Sequence, residues 1–382
     1  MTDADRASRH HALLTLIACG GASAPRRQLL EAYPVPEAAL AAGVASWRAL
    51  GLGDAQIAAL RAPDTASLMR GRAWLADRNH HLLGWHDPDY PSLLRRSPNP
   101  PLALFVAGDP ARLWHPAVAV VGSRTPTPGG RDNAAAFARA LAGSGLAVSS
   151  GLAAGIDTAA HAAVLAIDGL TIAVLGTGPD IAYPASNRAL HARIAAHGAL
   201  VSEHLPGTGP KPGHFPGRNR ILAGLSLGMV VIEAAARSGA LITARLAAEA
   251  GREVFAVPGS IHNPLSRGCH RLIRDGAGLV ESADEVIAAL ATIATELAGD
   301  LQQRLVDPIS SGHGIGPAVQ PLGPPADPDY KNLWAALGHD PTGMDQLAQR
   351  TGLTPANLSS MLLLMELDGR VAMEHGRYFR KG

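Results

Sequence analysis

Val118-Ala119-Val120-Val121-Gly122-Ser123-Arg124 and Leu146-Ala147-Val148-Ser149-Ser150-Gly151 decide the fold. Each is an unbroken run of mostly apolar residues that ends in small and hydroxyl side chains. A strand wetted on one face alternates apolar with polar, whereas a strand covered on both faces does not. The same form recurs at Thr171–Leu175, Ala199–Ser202, Met229–Ile232, Glu253–Val257 and Gly278–Val280. Helical stretches fall between them, at Arg131–Ala142, Ile156–Ile167, Asn187–Ala196, Asn219–Leu225, Ala240–Ala250 and Leu265–Arg274. Strand–helix alternation of this kind predicts an α/β protein with a doubly wound parallel sheet. Such sheets bind ligands outside the carboxyl ends of their strands.

On the N-terminal side, short helical patterns lie around Leu13–Cys19, Pro36–Trp47, Asp54–Leu60 and Thr65–Asn79. The turn Gly51-Leu52-Gly53-Asp54 looks like a helix-hairpin-helix connection in which Asp54 caps the next helix. A proline-rich stretch, His86–Pro101, leads to a short apolar strand at Leu102–Ala107. On the C-terminal side, Ser310-Ser311-Gly312 and repeated prolines show no periodicity and read as linker. Leu333–Leu337, Met344–Gln349 and Pro355–Leu367 then read as three helices, followed by a hairpin of Val371–Glu374 with Arg377–Arg380, which together predict a winged helix. The expected domains are a small helical domain (SAM or helix-hairpin-helix-like) at 1–85, the sheet domain at 86–298, a flexible linker at 299–328 and a winged-helix domain at 329–382.

Composition narrows the function classes. The 382 residues are 47% hydrophobic and only 17% charged, which excludes a disordered chain and a coiled coil. Cys19 and Cys269 stand far apart and form no paired spacing, so neither a disulfide scaffold nor a zinc ribbon is expected. No apolar run reaches the length of roughly 18 residues that a membrane helix needs. Ala12–Cys19 followed by Ala22-Ser23-Ala24 imitates a signal peptide, but Asp3 and Asp5 precede it and the run is short. It reads as an amphipathic first helix, and the protein as cytoplasmic. With 33 Lys+Arg against 32 Asp+Glu, the whole molecule has no field to attract a polyanion; only a local patch could do so.

Such a patch is visible. No acidic residue occurs between Glu203 and Glu233, and the gap holds His204, Lys211, His214, Arg218 and Arg220. Its centre, Lys211-Pro212-Gly213-His214-Phe215-Pro216-Gly217-Arg218-Asn219-Arg220, sets cations on both sides of an aromatic, the combination that single-stranded nucleic acid needs. At the end of the first strand, Gly122 lets a phosphate approach the backbone, Ser123 can donate to it, and Arg124 can bind it in a fork. Gly129-Gly130 then opens a helix whose amides add positive potential. This is not Gly-x-Gly-x-x-Gly, and no acid ends the second strand, which argues against a dinucleotide site; a plain tight turn is the other reading. Gly151 and Gly155 repeat the device after the second strand, with Asp157 as the cap of its helix and His161 packed against a loop rather than a metal or acid–base pair. Tyr183, beside Pro184 and before Asn187, either stacks on a base or packs in the core. Ser238, Gly239 and Thr243 begin a further helix with an open N-terminus.

These residues, taken in order, resemble the DNA-processing protein A family (DprA, also called Smf). The match runs through Gly122-Ser123-Arg124, Gly151…Gly155-Ile156-Asp157…His161, Tyr183-Pro184…Asn187, Ser202-Glu203 and Phe215-Pro216…Arg218-Asn219-Arg220-Ile221. It continues through Ser238-Gly239…Thr243-Ala244-Arg245, Gly251-Arg252-Glu253-Val254 and Val257-Pro258-Gly259, with His86-Asp87-Pro88…Tyr90-Pro91 upstream. The resemblance covers about 200 residues and implies an extended Rossmann-like domain that binds single-stranded DNA. It further implies a mediator that protects incoming strands and helps load the RecA recombinase in natural transformation, without cofactor, metal or catalytic residue. Carried over residue by residue, Arg124, Lys211, Arg218 and Arg220 would hold phosphates and Phe215 would stack a base. Gly217 departs from the pattern, standing where the family often has another cation. The family's homodimer forms at the far end of the sheet, which points to Ile261–Val280 and to Ile273 and Leu279, core packing being the alternative for both.

The competing reading is an enzyme. Related sheet proteins hydrolyse N-glycosidic bonds of nucleotides with a Pro-Gly-Gly-x-Gly-Thr loop and a nearby Glu. Here Gly129-Gly130 lies in a different loop, and Glu233 lacks a glycine-rich companion in sequence. A sequence-specific regulator acting through the winged helix is a third class. The segment 299–382 carries 7 Lys+Arg against 9 Asp+Glu and its last helix lacks a basic face, so that module is expected to contact protein or to be vestigial.

Overall fold

The computed structural model describes residues 3–306, 328–337, 342–354, 357–358, 361–362, 365, 371–374 and 377–380. They form two compact units, Met1–Pro308 and Ile309–Gly382. The first unit opens with helices α1 (Asp3–Ala18), α2 (Ser23–Ala32), α3 (Pro36–Ala41), α4 (Gly43–Ala49), α5 (Asp54–Arg61) and α6 (Thr65–Trp74). Strand β1 (His80–Gly84), helix α7 (Ser92–Arg95) and β2 (Ala103–Gly108) follow. The alternating part comprises β3 (Ala117–Val121), α8 (Pro128–Gly143), β4 (Ala147–Ser150), α9 (Ile156–Leu165), β5 (Thr171–Val174), α10 (Arg188–His197) and β6 (Ala199–Ser202). It ends with α11 (His214–Leu225), β7 (Gly228–Val231), α12 (Gly239–Glu249), β8 (Glu253–Ala256), α13 (Arg267–Arg274), β9 (Gly278–Leu279) and α14 (Ala283–Val306).

All nine strands make one sheet in the order β1-β2-β6-β5-β4-β3-β7-β8-β9. From β6 to β9 every neighbour is parallel, while β1 and β2 add an antiparallel edge. The expected doubly wound sheet is present, and its inner strands are buried on both faces. Ala117, Ala119 and Val121 face a layer made by α7, α11, α12 and α13, whereas Val118 and Val120 face α8, α9 and α14. The order reverses direction between β3 and β7, and this switch point fixes where the ligand crevice of such a sheet must open.

Four expectations change. β1 falls inside the stretch read as purely helical; two histidines at its start hide a five-residue strand. The helical region is not a separate body: its core joins Leu14, Leu29 and Trp47 to Leu82, Ala103 and Phe105 of the sheet. His80 stacks on Trp74 across the seam at 3.9 Å. The cap of α5 is Gly53, whose amide donates to Gln56 Oε1, while Asp54 pairs with Arg48 at 2.8 Å. Likewise α14 runs on to Val306, so the expected linker at 299–328 begins within a helix; its span 307–327 lies outside the described residues.

The second unit contains α15 (Pro328–Leu337), β10 (Thr342–Gly343), α16 (Met344–Thr351), β11 (Val371–Glu374) and β12 (Arg377–Arg380). Its sheet runs β10-β12-β11, and Leu333, Leu337, Leu347, Leu358, Leu362 and Val371 fill its core. The hairpin falls on the expected residues, with Val371 opposite Arg380, and the unit is a winged helix; the expected third helix, Pro355–Leu367, lies mostly outside the described residues. Among the described residues no helix is long and apolar enough to cross a membrane, and both cysteines are buried and free.

Phe105 is fully buried and meets Trp74 edge-on at 5.8 Å, so it tests whether helices and sheet share one core. Phe105→Ala is expected to cost about 3–5 kcal/mol. Urea melts followed by tryptophan fluorescence and by far-UV dichroism should still coincide; an earlier, separate helical transition would mean two independent cores.

Candidate nucleic-acid interface

The loops after β3 and β4 and the first turns of α11 and α12 enclose a cleft of about 390 Å³ at the switch point. Val121, Gly122, Arg124, Phe215, Arg218 and Thr243 are among its walls. Its position follows from the topology, and its chemistry from which of the predicted residues face outward.

Phe215 is half-buried and lines the cleft. The stretch read as a loop from Lys211 is helical from His214, because Pro216 sits in the first turn, where no intrahelical N–H is needed. This places the Phe215 ring over Gly176, where a Cβ would lie 2.9 Å from it. The Arg124 guanidinium lies 5.9 Å from the Phe215 ring centre, and the Tyr183 ring lies 5.3 Å away on another side, tilted by 39°. Tyr183 is 43% exposed, which settles it as a surface ring rather than a core one. Arg124 and Lys211 are exposed as well. An exposed guanidinium beside two aromatic rings can take a phosphate and a base together.

The other two cations point elsewhere. Arg218 is 5% exposed, and its Nη1 donates to Gly151 O at 2.5 Å and also to Val174 O. Its Nε donates to Asn219 Oδ1 at 3.1 Å. Burial pulls its pKa down to about 10, an effect that nearby Asp157 opposes. Gly151 is required here, since a Cβ would fall 2.4 Å from the guanidinium. Arg220 is held by Glu203 at 2.5 Å, both side chains about one-fifth exposed. The four cations therefore divide into two that face solvent and two that build the floor.

The remaining predicted residues are mostly structural. Ser123 is buried and accepts the Thr125 amide at 3.1 Å. Gly155 has φ +86°, and a Cβ there would strike Ser123 O at 2.4 Å. Asn187 is buried, donating to Leu152 O at 3.0 Å and Thr158 Oγ1 at 2.9 Å. Ser238 caps α12 through the Ala240 amide, Gly239 is open, and Thr243 bonds back to Gly239 O. Asp157 does not cap its own helix. It accepts from the Gly151 and Ala153 amides of the preceding loop, and burial raises its pKa. His161 meets Thr171 Oγ1 at 2.6 Å rather than a loop, fully buried. At the far end of the sheet, Leu279 is 49% exposed on the edge strand, whereas Ile273 is half-buried against the core.

Sequence reasoning passed over one arrangement. Glu233, 7% exposed, accepts from Thr127 N at 2.9 Å and Thr127 Oγ1 at 2.6 Å. Gly130 lies directly against its carboxylate, so the glycine companion that the sequence seemed to lack is present in space. The Thr127-Pro128 pair, an N-cap followed by a first-turn proline, was the available signal.

Two outcomes follow. Arg218→Ala leaves buried carbonyls and Asp157 without their cation and should cost about 3–5 kcal/mol in chemical denaturation, whereas Arg124→Ala should leave the melting curve in place. Acid should also weaken the fold. Burial holds His161 at about 3 and His204 at about 4, below the ordinary value of 6.5, so protons bind the unfolded chain preferentially. Stability is then full above pH ~6.5 and falls towards pH ~4, by up to about 1.4 kcal/mol per pH unit for buried His161. Urea melts at successive pH values measure it, and His161→Gln should flatten the slope.

Comparison with known proteins gives a concordant result. A family model described as DNA recombination-mediator protein A matches residues 81–291, and one described as the DprA winged helix domain matches residues 317–377. Protein Smf of Synechocystis is 41% identical over 328 residues, 80% of this chain and 81% of its own. The X-ray structure of DNA processing protein A from Streptococcus pneumoniae superposes with a TM-score of 0.66 at 37% identity, covering 73% of this chain and 97% of that one. A structure addressing the single-stranded DNA binding mode of DNA processing protein A from Helicobacter pylori superposes with a TM-score of 0.51 at 29% identity, over 56% and 96% of the two chains. The ordered motifs, the switch-point cleft and these matches agree, and the chain belongs to the DNA recombination-mediator protein A family.

Proposed function

We propose that this protein is a non-enzymatic single-stranded DNA binder that protects strands and helps load a RecA recombinase during natural transformation, acting as a homodimer in the cell interior. The observation that carries the reading is the Arg124–Phe215–Tyr183 array at the carboxyl ends of the parallel strands, a half-buried ring flanked by an exposed guanidinium and an exposed tyrosine. Arg124 and Lys211 hold backbone phosphates, and the rings stack bases. Because every base has a π-face and every nucleotide a phosphate, binding is tolerant of sequence. Bases paired in a duplex have no free face to offer, so single strands are preferred. The non-enzymatic part is supported by Asp157 and His161, the acid–base pair the sequence offers, which are both buried and engaged by the protein's own groups. RecA loading follows from the family resemblance, and Leu279 on the open sheet edge is the candidate centre of the dimer contact.

The burial of Arg218 and the pairing of Arg220 with Glu203 revise the electrostatics. Four phosphate-binding cations shrink to two per protomer, so log K should fall with log salt at a slope of about −1.4 per protomer. Fluorescence anisotropy of labelled oligo-dT, as single strand and as duplex, at several salt concentrations measures this. Arg124→Ala and Lys211→Ala should each reduce affinity and slope together. Phe215→Ala should weaken binding about 5- to 150-fold with the slope unchanged, since stacking is worth about 1–3 kcal/mol per base. Equal affinity for duplex, or indifference to Arg124, would refute the reading.

A further inference from the structure

The switch point between β3 and β7 is where a doubly wound sheet ordinarily seats a phosphate, against the amides and positive dipole end of the helix after the first strand. That helix is α8, and its N-terminus is already engaged. Glu233 follows β7 by two residues and reaches across the switch point. Its Oε2 accepts the Thr127 amide at 2.9 Å, and its Oε1 accepts Thr127 Oγ1 at 2.6 Å and Asn263 Nδ2 at 3.3 Å. Thr127 Oγ1 in turn accepts the Gly130 amide at 3.0 Å, so the carboxylate acts on the helix end both directly and through the cap.

Two glycines make this approach possible. A Cβ on Gly130 would lie 2.4 Å from the carboxylate carbon, and one on Gly122 would lie 2.8 Å from Glu233 O. The hydrogen-bond donors to the carboxylate are amides and a hydroxyl, not a lysine or arginine. A buried carboxylate with those partners is compensated as a bound phosphate would be, by oriented N–H groups and a helix dipole. It presents a negative charge to any second anion and has taken up the donors that anion would need.

We propose that Glu233 is the protein's own occupant of the anion seat at the N-terminus of α8, and that this occupancy excludes free mononucleotide phosphates from the cleft. An extended strand escapes the exclusion because its phosphates are met at the rim by Arg124 and Lys211. This last clause rests on the strand-binding reading; the occupancy does not.

The test is anion rescue in the full chain. Glu233→Ala should lower the melting temperature in chloride by roughly 5 °C. Acetate or phosphate at matched ionic strength should restore at least half of the loss, because an anion that binds only the folded state stabilises it by mass action. The parent protein should respond to none of the three anions differently. Isothermal titration with inorganic phosphate and with dTMP should show binding to Glu233→Ala and none to the parent. Adding Gly130→Ala, whose methyl fills the vacated seat, should abolish the rescue. Should Glu233→Ala fail to fold in chloride, refolding in phosphate or acetate becomes the readout. A folded Glu233→Ala indifferent to anion identity, a chain that no anion refolds, or a parent that binds phosphate as well as the variant would each overturn the proposal. Oligo-dT anisotropy on the same samples separates the two ideas: loss of strand binding by the parent refutes the strand reading, while the rescue result decides the occupancy by itself.

Discussion

The buried guanidinium of Arg218 is the contact on which the interface depends. Three pieces of chain meet there: the loop after β4 at Gly151, the end of β5 at Val174, and α11, which carries Arg218 itself. Backbone carbonyls at the ends of parallel strands have no further strand partner, and a buried carbonyl without a donor is costly. One planar cation answers two of them at once and fixes the rotation of α11. That rotation in turn sends Phe215 to the surface, beside Arg124. An arginine turned onto backbone carbonyls thus determines where the ring that lines the cleft stands.

The cations of the site sort by solvation rather than by sequence position. Arg218 and Arg220 sit two residues apart, yet one is buried on carbonyls and the other is paired with Glu203. Arg124 and Lys211, far apart in sequence, are the pair left facing water. Exposed cations keep their charge available to a polyanion and make attraction salt-sensitive, while buried ones serve packing and are scarcely screened. The near-neutral chain therefore presents a small basic rim with an aromatic floor, consistent with a protein that grips strands locally instead of attracting them from a distance.

Much of the fold could be read from the sequence because burial on both faces leaves a distinct mark. The mostly apolar runs at 118–121, 171–175 and 229–232 read as strands, and β3, β5 and β7 fall there to within one residue at each end. β1 escaped because His80 and His81 break the run, and His80 finds its apolar contact by stacking on Trp74. The start of α11 escaped because Pro216 and Gly217 resemble a loop, although proline is tolerated in a first turn. The candidate site residues are legible as a group, but their sorting into exposed and buried is not. Asn187, Ser123 and Arg218 have side chains that suit a phosphate, and only the folded chain shows that Leu152 O, the Thr125 amide and Gly151 O already engage them. Glu233 is the hardest to see, since its partner Thr127 lies 106 residues away and its glycine neighbour Gly130 belongs to the first turn of α8.

The central claim is that a single strand lies across the carboxyl ends of the parallel strands with its bases on Phe215 and Tyr183. Photo-crosslinking reads this contact directly. An oligo-dT strand carrying one 5-iodo-deoxyuridine would be irradiated with the full-length protein and the adducts located by peptide mass spectrometry. Adducts are expected on Phe215 and Tyr183, suppressed by excess unlabelled strand. Adducts confined to the winged-helix unit or to α13, with the Phe215 and Tyr183 peptides unmodified, would contradict it.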